Sequence, residues 1–498
     1  MKKTITLFAA LTASLSSFSA TWYVGPTRTY TTPSQVKLLV ADGDSIKIDG
    51  GVYLNDPTKW VKKDLKFVGL GTGTNRTIMR WNAGDIPNGK GIWVFEQLGI
   101  SDNPSINNIV FDGARVSDGN GGNGAGIRYQ SSNLKINNCK FVNCQNGILE
   151  GGAGTALNII SITNTEFENN GYETIGGPYS GYEHNIYISG GCDTLYVKNC
   201  YFHDPRGEAN SLKTRAKTSY IINNIIDENQ GQGSWELNIA QGGLCIVVGN
   251  VIIQGPNSIN HGIISIDAAN NPINELYFIN NTVINKYPVY ANCVQNFAGN
   301  GMTVFKFRNN VFAGVSGASL NKFGTPPASL DTANNRWITD HLTVGFISPS
   351  TNNYSITASA ASLVDKGVSP GNASNGYNLT PSFMYKNFTN TLIPRTVGGS
   401  AIDIGAYEYS TATTTSIFNN IFDDEISVYP NPTKNKLHII NANNCNVIMT
   451  DILGKNISFH SSFENNDMLI ELNNIVSGVY FLTLTLSDKV ITKKIIVE

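Results

Sequence analysis

The chain is short of charge. Only 14% of its 498 residues are Asp, Glu, Lys or Arg, and the formal net charge is −2. No global field is left to hold nucleic acid or an anionic membrane, so an anionic ligand must be met by local cations. Cysteine is sparse and badly spaced for a metal: residues 139, 144, 192, 200, 245, 293 and 445 contain no CxxC pair, which argues against zinc. Cys139 and Cys200 hold equivalent places two repeats apart, roughly 10 Å, too far for a disulfide. They read as small buried side chains in a wall. Long apolar runs are missing beyond the first segment, and so is the patterning of long amphipathic helices.

Glycine is plentiful, with 49 residues, and Asn is abundant, a composition suited to short strands joined by tight turns. Residues 1–20 open with Lys2 and Lys3, continue through ITLFAALTASL and close on SSFSA. A charged start, an apolar centre and small residues at the end make a secretory signal peptide; a membrane anchor is the lesser reading, because the run is shorter than a bilayer span.

From residue 106 a pattern recurs: apolar, x, apolar, x, Asn, then another apolar residue. It is seen in LKINNCKF (134–141), ISITNTEF (160–167), LYVKNCYF (195–202), YIINNII (220–226), IVVGNVI (246–252), LYFINNTV (276–283) and FKFRNNVF (305–312). The aligned residues Asn138, Asn164, Asn199, Asn224, Asn250, Asn280 and Asn309 are 25 to 35 residues apart, one solenoid coil per repeat. Asn tolerates a left-handed turn, and stacked amides can bond from coil to coil, so these positions are structural. A β-propeller needs longer repeats. The predicted fold is all-β: a right-handed parallel β-helix over residues 21–409, a linker at 410–424 and a small C-terminal β-sandwich at 425–498. Ser34 to Ala41 should form a helical turn capping the open end of the stack. Past residue 315 the repeat decays, and NNYSITASAASLVDKG and AIDIGAYEY resemble the segments that close the last coil in bacterial β-helix proteins.

Strand parity separates wall from surface. In HNIYIS, Ile186 and Ile188 point inward and leave Asn185 and Tyr187 outside, with His184 at an inward strand start. In SLKTRA the outward residues are Lys213 and Arg215; in SWELNIA, with Trp235 inward, they are Glu236 and Asn238. HGIISID contributes Ser265 and Asp267. Coils stack about 4.8 Å apart, so these residues should form one column, extended on its N-terminal side by Arg128. Such a groove suits an acidic sugar chain. A lyase must neutralise the uronate carboxylate, remove the C5 proton and protonate the leaving oxygen. Arg215 can pair with the carboxylate, Lys213 beside it can act as base, and Tyr187 or His184 can supply the proton. Arg128, Asn185, Glu236, Asn238 and Asp267 would bind and orient the substrate. The competing structural reading is an exposed ion-pair ladder of Lys213, Arg215 and Glu236. Glu236 and Asp267, one coil apart, allow a glycoside hydrolase as an alternative, and a glycan-binding adhesin is the non-catalytic one. Ca2+ is a candidate cofactor, through Asp204, Asp227 and Glu228 at coil corners. A monomer is expected.

Three further stretches carry resemblances. TWYVGP followed by DGDSIKIDGGVY resembles the N-terminal opening of bacterial parallel β-helix proteins of the pectate-lyase-like superfamily. HNIYI, then NCYFH, then LKTRA before Gly242-Gly243 resembles a group of secreted β-helix proteins related in fold to pectate, alginate and chondroitin lyases and to alginate epimerases. In the chondroitinase B type a Lys on one coil and an Arg on the next serve as base and acid. Lys213 matches that Lys, whereas the next coil carries Glu236 and Arg215 lies on the Lys213 strand. At the C-terminus, Tyr429-Pro430-Asn431-Pro432, Asp451 to Gly454, Gly478-Val479-Tyr480 and Lys493-Lys494 resemble the type A sorting domain of the type IX secretion system. That resemblance implies export across the outer membrane with the type IX machinery as partner; a carbohydrate-binding sandwich is the other reading.

Overall fold

A computed structural model describes residues 19–96, 103–151, 157–315, 320–323, 329–386 and 391–409 of one compact unit, and 428–429, 431–439, 446–452, 454–464, 467–473, 475–485 and 490–498 of a second. The expected signal peptide through residue 18, the expected linker, Pro430, Cys445 and Leu453 lie outside the described residues.

The first unit is a parallel β-helix. Three long parallel sheets hold 12, 11 and 10 strands among the described residues. Each full coil gives one strand to each sheet in turn; Thr194–Lys198, Tyr201–His203 and Asn210–Thr214 are one coil's first, second and third strands. Inward side chains of successive coils stack on their counterparts. Phe111, Phe141, Phe167 and Phe202 form one such file, with ring centroids 5.1, 5.1 and 4.8 Å apart and nearly parallel planes. Stacking a repeat on itself thus buries a continuous core without any coil closing one alone. At the N-terminal end, the expected helical turn is a 3-10 helix at Pro33–Val36, whose Val36 joins Val40 in the core.

Two asparagine files turn the corner between the first and second sheets. The outer file takes positive φ at Asn138, Asn164, Asn199, Asn223, Asn280 and Asn309. Asn224 and Asn250, aligned with it by the repeat pattern, stand one place further on; the left-handed position is held there by Asn223 and by Gly249, at φ 70°. Asn224, Asn250, Asn281, Asn310 and Asn335 form the inner file. Each Oδ1 accepts the main-chain N–H of the preceding coil's member, as from Asn224 to Asn250, Asn250 to Asn281 and Asn281 to Asn310 at 2.9, 2.9 and 2.8 Å. Their amide nitrogens donate to Val197, Ile221, Val247 and Phe278 carbonyls. Buried main-chain groups exposed by the turn are satisfied by this ladder.

The coils continue past the last repeat legible in the sequence, but the segments expected to close them do not belong to them. After Arg336–Ile338 the chain does not close further coils but runs back along the outside of the helix. Tyr354, Ile356, Tyr385 and Tyr407 pack on Ile225, Val251, Ile253 and Ile284 of the second sheet, and Leu379 and Tyr377 pack on Leu244, Ile246 and Tyr277 of the first. Asn280 donates to Asp403 O and Asn309 to Val368 O, while Arg395 is pinned to Glu408 at 3.0 Å with both side chains 1% exposed. Alternation in this strap therefore marks one face lying on a wall, not membership of a coil.

The second unit has two four-stranded antiparallel sheets around Leu437, Ile439, Met449, Ile470, Leu482, Leu484 and Ile495. Its long strands Gly478–Thr485 and Val490–Val497 pair along their whole length. Asn431 donates to Lys494 O at 2.8 Å and accepts from Ile496 N at 2.9 Å, tying the Pro-Asn-Pro turn to the terminal strand.

Candidate functional site

The strap covers the middle and later coils of the first and second sheets, so attention falls on the third sheet. Its register runs Arg128, Leu149, Tyr187, Lys213, Asn238, Ser265, Gln295 across successive strands. The column expected from interval counting thus exists, but its members differ: Lys213 lies opposite Tyr187 and Asn238, not Asn185 and Glu236. The reason is a break in alternation at each strand start. Asn185 and Glu236 are 0% and 2% exposed. The same column holds Gly147, where an added Cβ would meet the core rings of Phe167 and Phe141. Asn185 Oδ1 accepts from buried Asn170 at 2.8 Å. Two successive residues face inward here as the chain enters the sheet from a corner, which puts Asn185 and Glu236 inside the wall.

Glu236 faces Glu228 in that corner, and both are buried. Burial, then the neighbouring Glu228, holds Glu236 well above the usual carboxylate range, and burial pushes Glu228 up to about 8. Gly255 N donates to Glu228 at 2.8 Å, and Glu236, held protonated by burial, pairs with Glu228 through a side-chain hydrogen bond. The expected pairing of Glu236 with Lys213 and Arg215 does not occur, nor do Glu236 and Asp267 share a face.

Three groups gather round the Tyr187 ring. Lys213 Nζ lies 6.0 Å and the Arg215 guanidinium 5.7 Å from its centroid, within cation–π range. His184 stacks beside it at 6.0 Å with an interplanar angle of 14°. Neither Lys213 nor Arg215 has a carboxylate within ion-pair distance among the described residues, and Arg215 Nε is buried without an acceptor. Burial, reinforced by the Arg215 charge, lowers the Lys213 pKa. Burial, then Lys213 and Arg215, lowers that of His184. Asn210 N donates to His184 Nδ1 at 3.2 Å, which leaves the neutral ring's proton on Nε2. His184, the first residue of its strand, is buried at 1% exposed and meets the outer cluster only through its ring stacked on Tyr187.

One coil on, Asn238 Nδ2 donates to both oxygens of exposed Asp267 at 3.0 Å, and Ser265 Oγ donates to the same carboxylate. Asn238 Oδ1 is left buried without a donor. Arg128 stands two coils on the other side of Tyr187, with Leu149 between and Glu150 as the carboxylate acting on it. The structure thus brings together Tyr187, His184, Lys213, Arg215, Asn238 and Asp267. Arg128 is at the margin of the cluster, and Asn185 and Glu236 are excluded.

Trp235, read as inward, was the residue missed. It is half-buried, its ring lies over Gly262, and Phe297 meets it edge-on at 6.5 Å. The signal was Gly262 itself, a missing side chain one coil from a Trp.

The calcium candidates are held by hydrogen bonds to neighbouring side chains and main chain, Asp204 and Asp227 sharing Asn229. Asp204 accepts from His203 and Asn229, Asp227 from Asn229 N and Asn352, and Glu228 belongs to the buried corner. Glu166, Glu168 and His203 on the second sheet do bring ligand atoms within 4.8 Å of one another. Lys140 bridges both glutamates there, and His203 lies 3.1 Å from Glu166 and 2.7 Å from Asp204. Burial pulls the His203 pKa down, but its carboxylate neighbours outweigh it and raise it to about 9. The result is an ion-pair network in which two cations hold three carboxylates. The six described cysteines are buried and free.

No helix among the described residues is long and apolar enough to cross a membrane. No curated protein matches the chain. Residues 427–498 match the family described as the secretion system C-terminal sorting domain, which implies an interaction with the type IX machinery and directs the protein to the cell surface or extracellular space.

Proposed function

We propose that the outer face of the third sheet binds an acidic, uronate-containing polysaccharide and cleaves it by β-elimination. The observation that carries this reading is the pair Lys213 and Arg215: two cations flanking one tyrosine ring, neither with a carboxylate within ion-pair distance among the described residues, Asp267 acting on Lys213 only from further off. Structural cations on a sheet surface normally acquire partners, as Lys140 does on the neighbouring sheet; desolvated cations left unpaired suit an anion that arrives from outside.

Arg215 takes the uronate carboxylate and makes the C5 proton more acidic. Lys213, with its lowered pKa, has a larger neutral fraction and removes that proton. The C5 electrons form the C4–C5 double bond as the C4–O bond breaks, and the departing oxygen takes the Tyr187 hydroxyl proton. His184, neutral with Nδ1 occupied, serves better to hold the Tyr187 ring than to donate. Asn238, fixed by Asp267, offers Oδ1 to a sugar hydroxyl.

The test is incubation with a panel of alginate, pectate and glycosaminoglycans. The expected outcome is new absorbance from unsaturated uronate on one of them, lost in Lys213→Ala although the polymer still binds. Reducing ends without that absorbance would replace elimination by hydrolysis. Binding without turnover, unchanged in Lys213→Ala, would leave a non-catalytic glycan-binding surface.

A further inference from the structure

The Lys213–Arg215 cluster ends at the coil that carries Trp235, and there the chemistry of the third sheet changes from cationic to aromatic. Main-chain bonding sets Trp235 beside Asn210: Ser211 N donates to Trp235 O at 3.0 Å and Trp235 N to Asn210 Oδ1 at 3.1 Å. Asn210 in turn pairs with His184, so the three strand starts are neighbours on successive coils. Trp235 then leans over the next coil. A Cβ on Gly262 would sit 2.0 Å from Trp235 Cζ3, so only glycine lets the indole lie on the strand. Phe297, from the coil after that, closes on it with ring planes at 86° and is 62% exposed. An aromatic so exposed, in the turn that follows its strand and set against a half-buried Trp, is not explained by packing.

We infer that Trp235 and Phe297 form a sugar-stacking subsite continuous with the cationic cluster, accepting the apolar face of a pyranose ring in the same chain whose carboxylate lies at Arg215. The inference rests on the proposed glycan reading and adds to it a requirement for length. Trp235 is one coil beyond Lys213 and its ring reaches over the next, a displacement of roughly 5–10 Å along the helix axis. That distance takes the ligand past the sugar held at Arg215 to a following one. The occupant is set by two features in sequence: an anion receptor, then a flat aromatic surface without a cation of its own. A neutral or axially uncluttered ring face suits the second, while the ionic contact is confined to the first. Gly262 is a specificity-determining position because any side chain there displaces the indole.

The test is calorimetric binding of oligouronates from dimer to hexamer, with neutral gluco- and xylo-oligosaccharides as a second series, to the full chain and to Trp235→Ala, Phe297→Ala and Arg215→Gln. Trp235→Ala is expected to weaken the longer oligouronates by about tenfold while leaving the dimer unchanged, and the loss should not vary with salt. Phe297→Ala should give a smaller loss of the same form. Arg215→Gln should weaken every length, most strongly at low salt. Gly262→Ala, which retains the Trp but moves its ring, should reproduce the Trp235→Ala pattern. If Trp235→Ala lowers dimer and hexamer affinity equally, or changes neither, the stacking subsite is overturned while the acidic reading stands. If no oligouronate binds but neutral oligosaccharides bind in a Trp235-dependent way, the subsite stands and the acidic reading falls. If neither series binds, both fall.

Discussion

Two regions of this β-helix are built from the same polar vocabulary and treat it in opposite ways. At the corner of the first and second sheets, Asn224, Asn250, Asn281 and Asn310 are buried, and each amide both donates and accepts along the stack. On the third sheet, Arg215 Nε and Asn238 Oδ1 are buried without a partner. A buried polar group without a partner is costly, and native structures keep few of them. Polar residues alone do not mark a site. What distinguishes a wall from a surface adapted to a ligand is whether the polar groups are already satisfied.

The largest effect should come from the strap that seals the satisfied half. Arg395→Ala leaves Glu408 buried without its cation and frees the carbonyls of Asp403, Gly405 and Tyr407. Denaturant unfolding of the β-helix should show a loss of about 3–5 kcal/mol. Next is the ladder itself. Asn250→Ala removes the acceptor for Asn224 N and the donor to Ile221 O, and about 2–3 kcal/mol should be lost in the same measurement. An unchanged midpoint in either variant would undo the contrast drawn here.

A smaller effect depends on pH. Glu228 and Glu236 have raised pKa values in the fold, so the folded state binds more protons than the unfolded chain. Their contribution is fully present below the unfolded carboxylate pKa, near 4.3. It is lost as pH rises through the Glu228 value of about 8. Glu236→Gln should flatten that decline, and its Tm should exceed that of the unsubstituted protein at alkaline pH; a parallel pH profile would show that the pair does not titrate. The smallest stability change belongs to the proposed site. Lys213→Ala and Arg215→Gln break no ion pair, and each should shift stability by no more than about 0.5 kcal/mol.

The fold was legible because its signal repeats. Seven aligned strand–Asn–strand units leave one architecture, and an Asn before a second apolar strand is explained by the left-handed turn it makes at positions such as Asn199. The candidate site was only partly legible. Tyr187, Lys213, Arg215 and Asn238 follow from alternation within their strands, but Asn185 and Glu236 do not, because alternation breaks where the chain enters the third sheet. Within one strand, a polar residue flanked by apolar ones looks external. Compared across coils, the same column reads Gly147, Asn185, Ser211, Glu236, Ile263 and Cys293, a mixture that suits an interior corner. The strap escaped for a related reason: NYSI and FMYK alternate like coil strands, and only packing on Ile225 and Ile253 shows that their apolar face covers a finished wall.

The central claim is that Lys213 and Arg215 are unpaired because an external carboxylate completes them. Its most direct measurement is the affinity of the full chain for a polyuronate compared with its neutral, carboxyl-reduced counterpart, in the unsubstituted protein and in Arg215→Gln. The account predicts a marked preference for the acidic polymer that weakens with salt and disappears in Arg215→Gln. Equal affinity for the two polymers, or a preference that survives loss of the guanidinium, would contradict it.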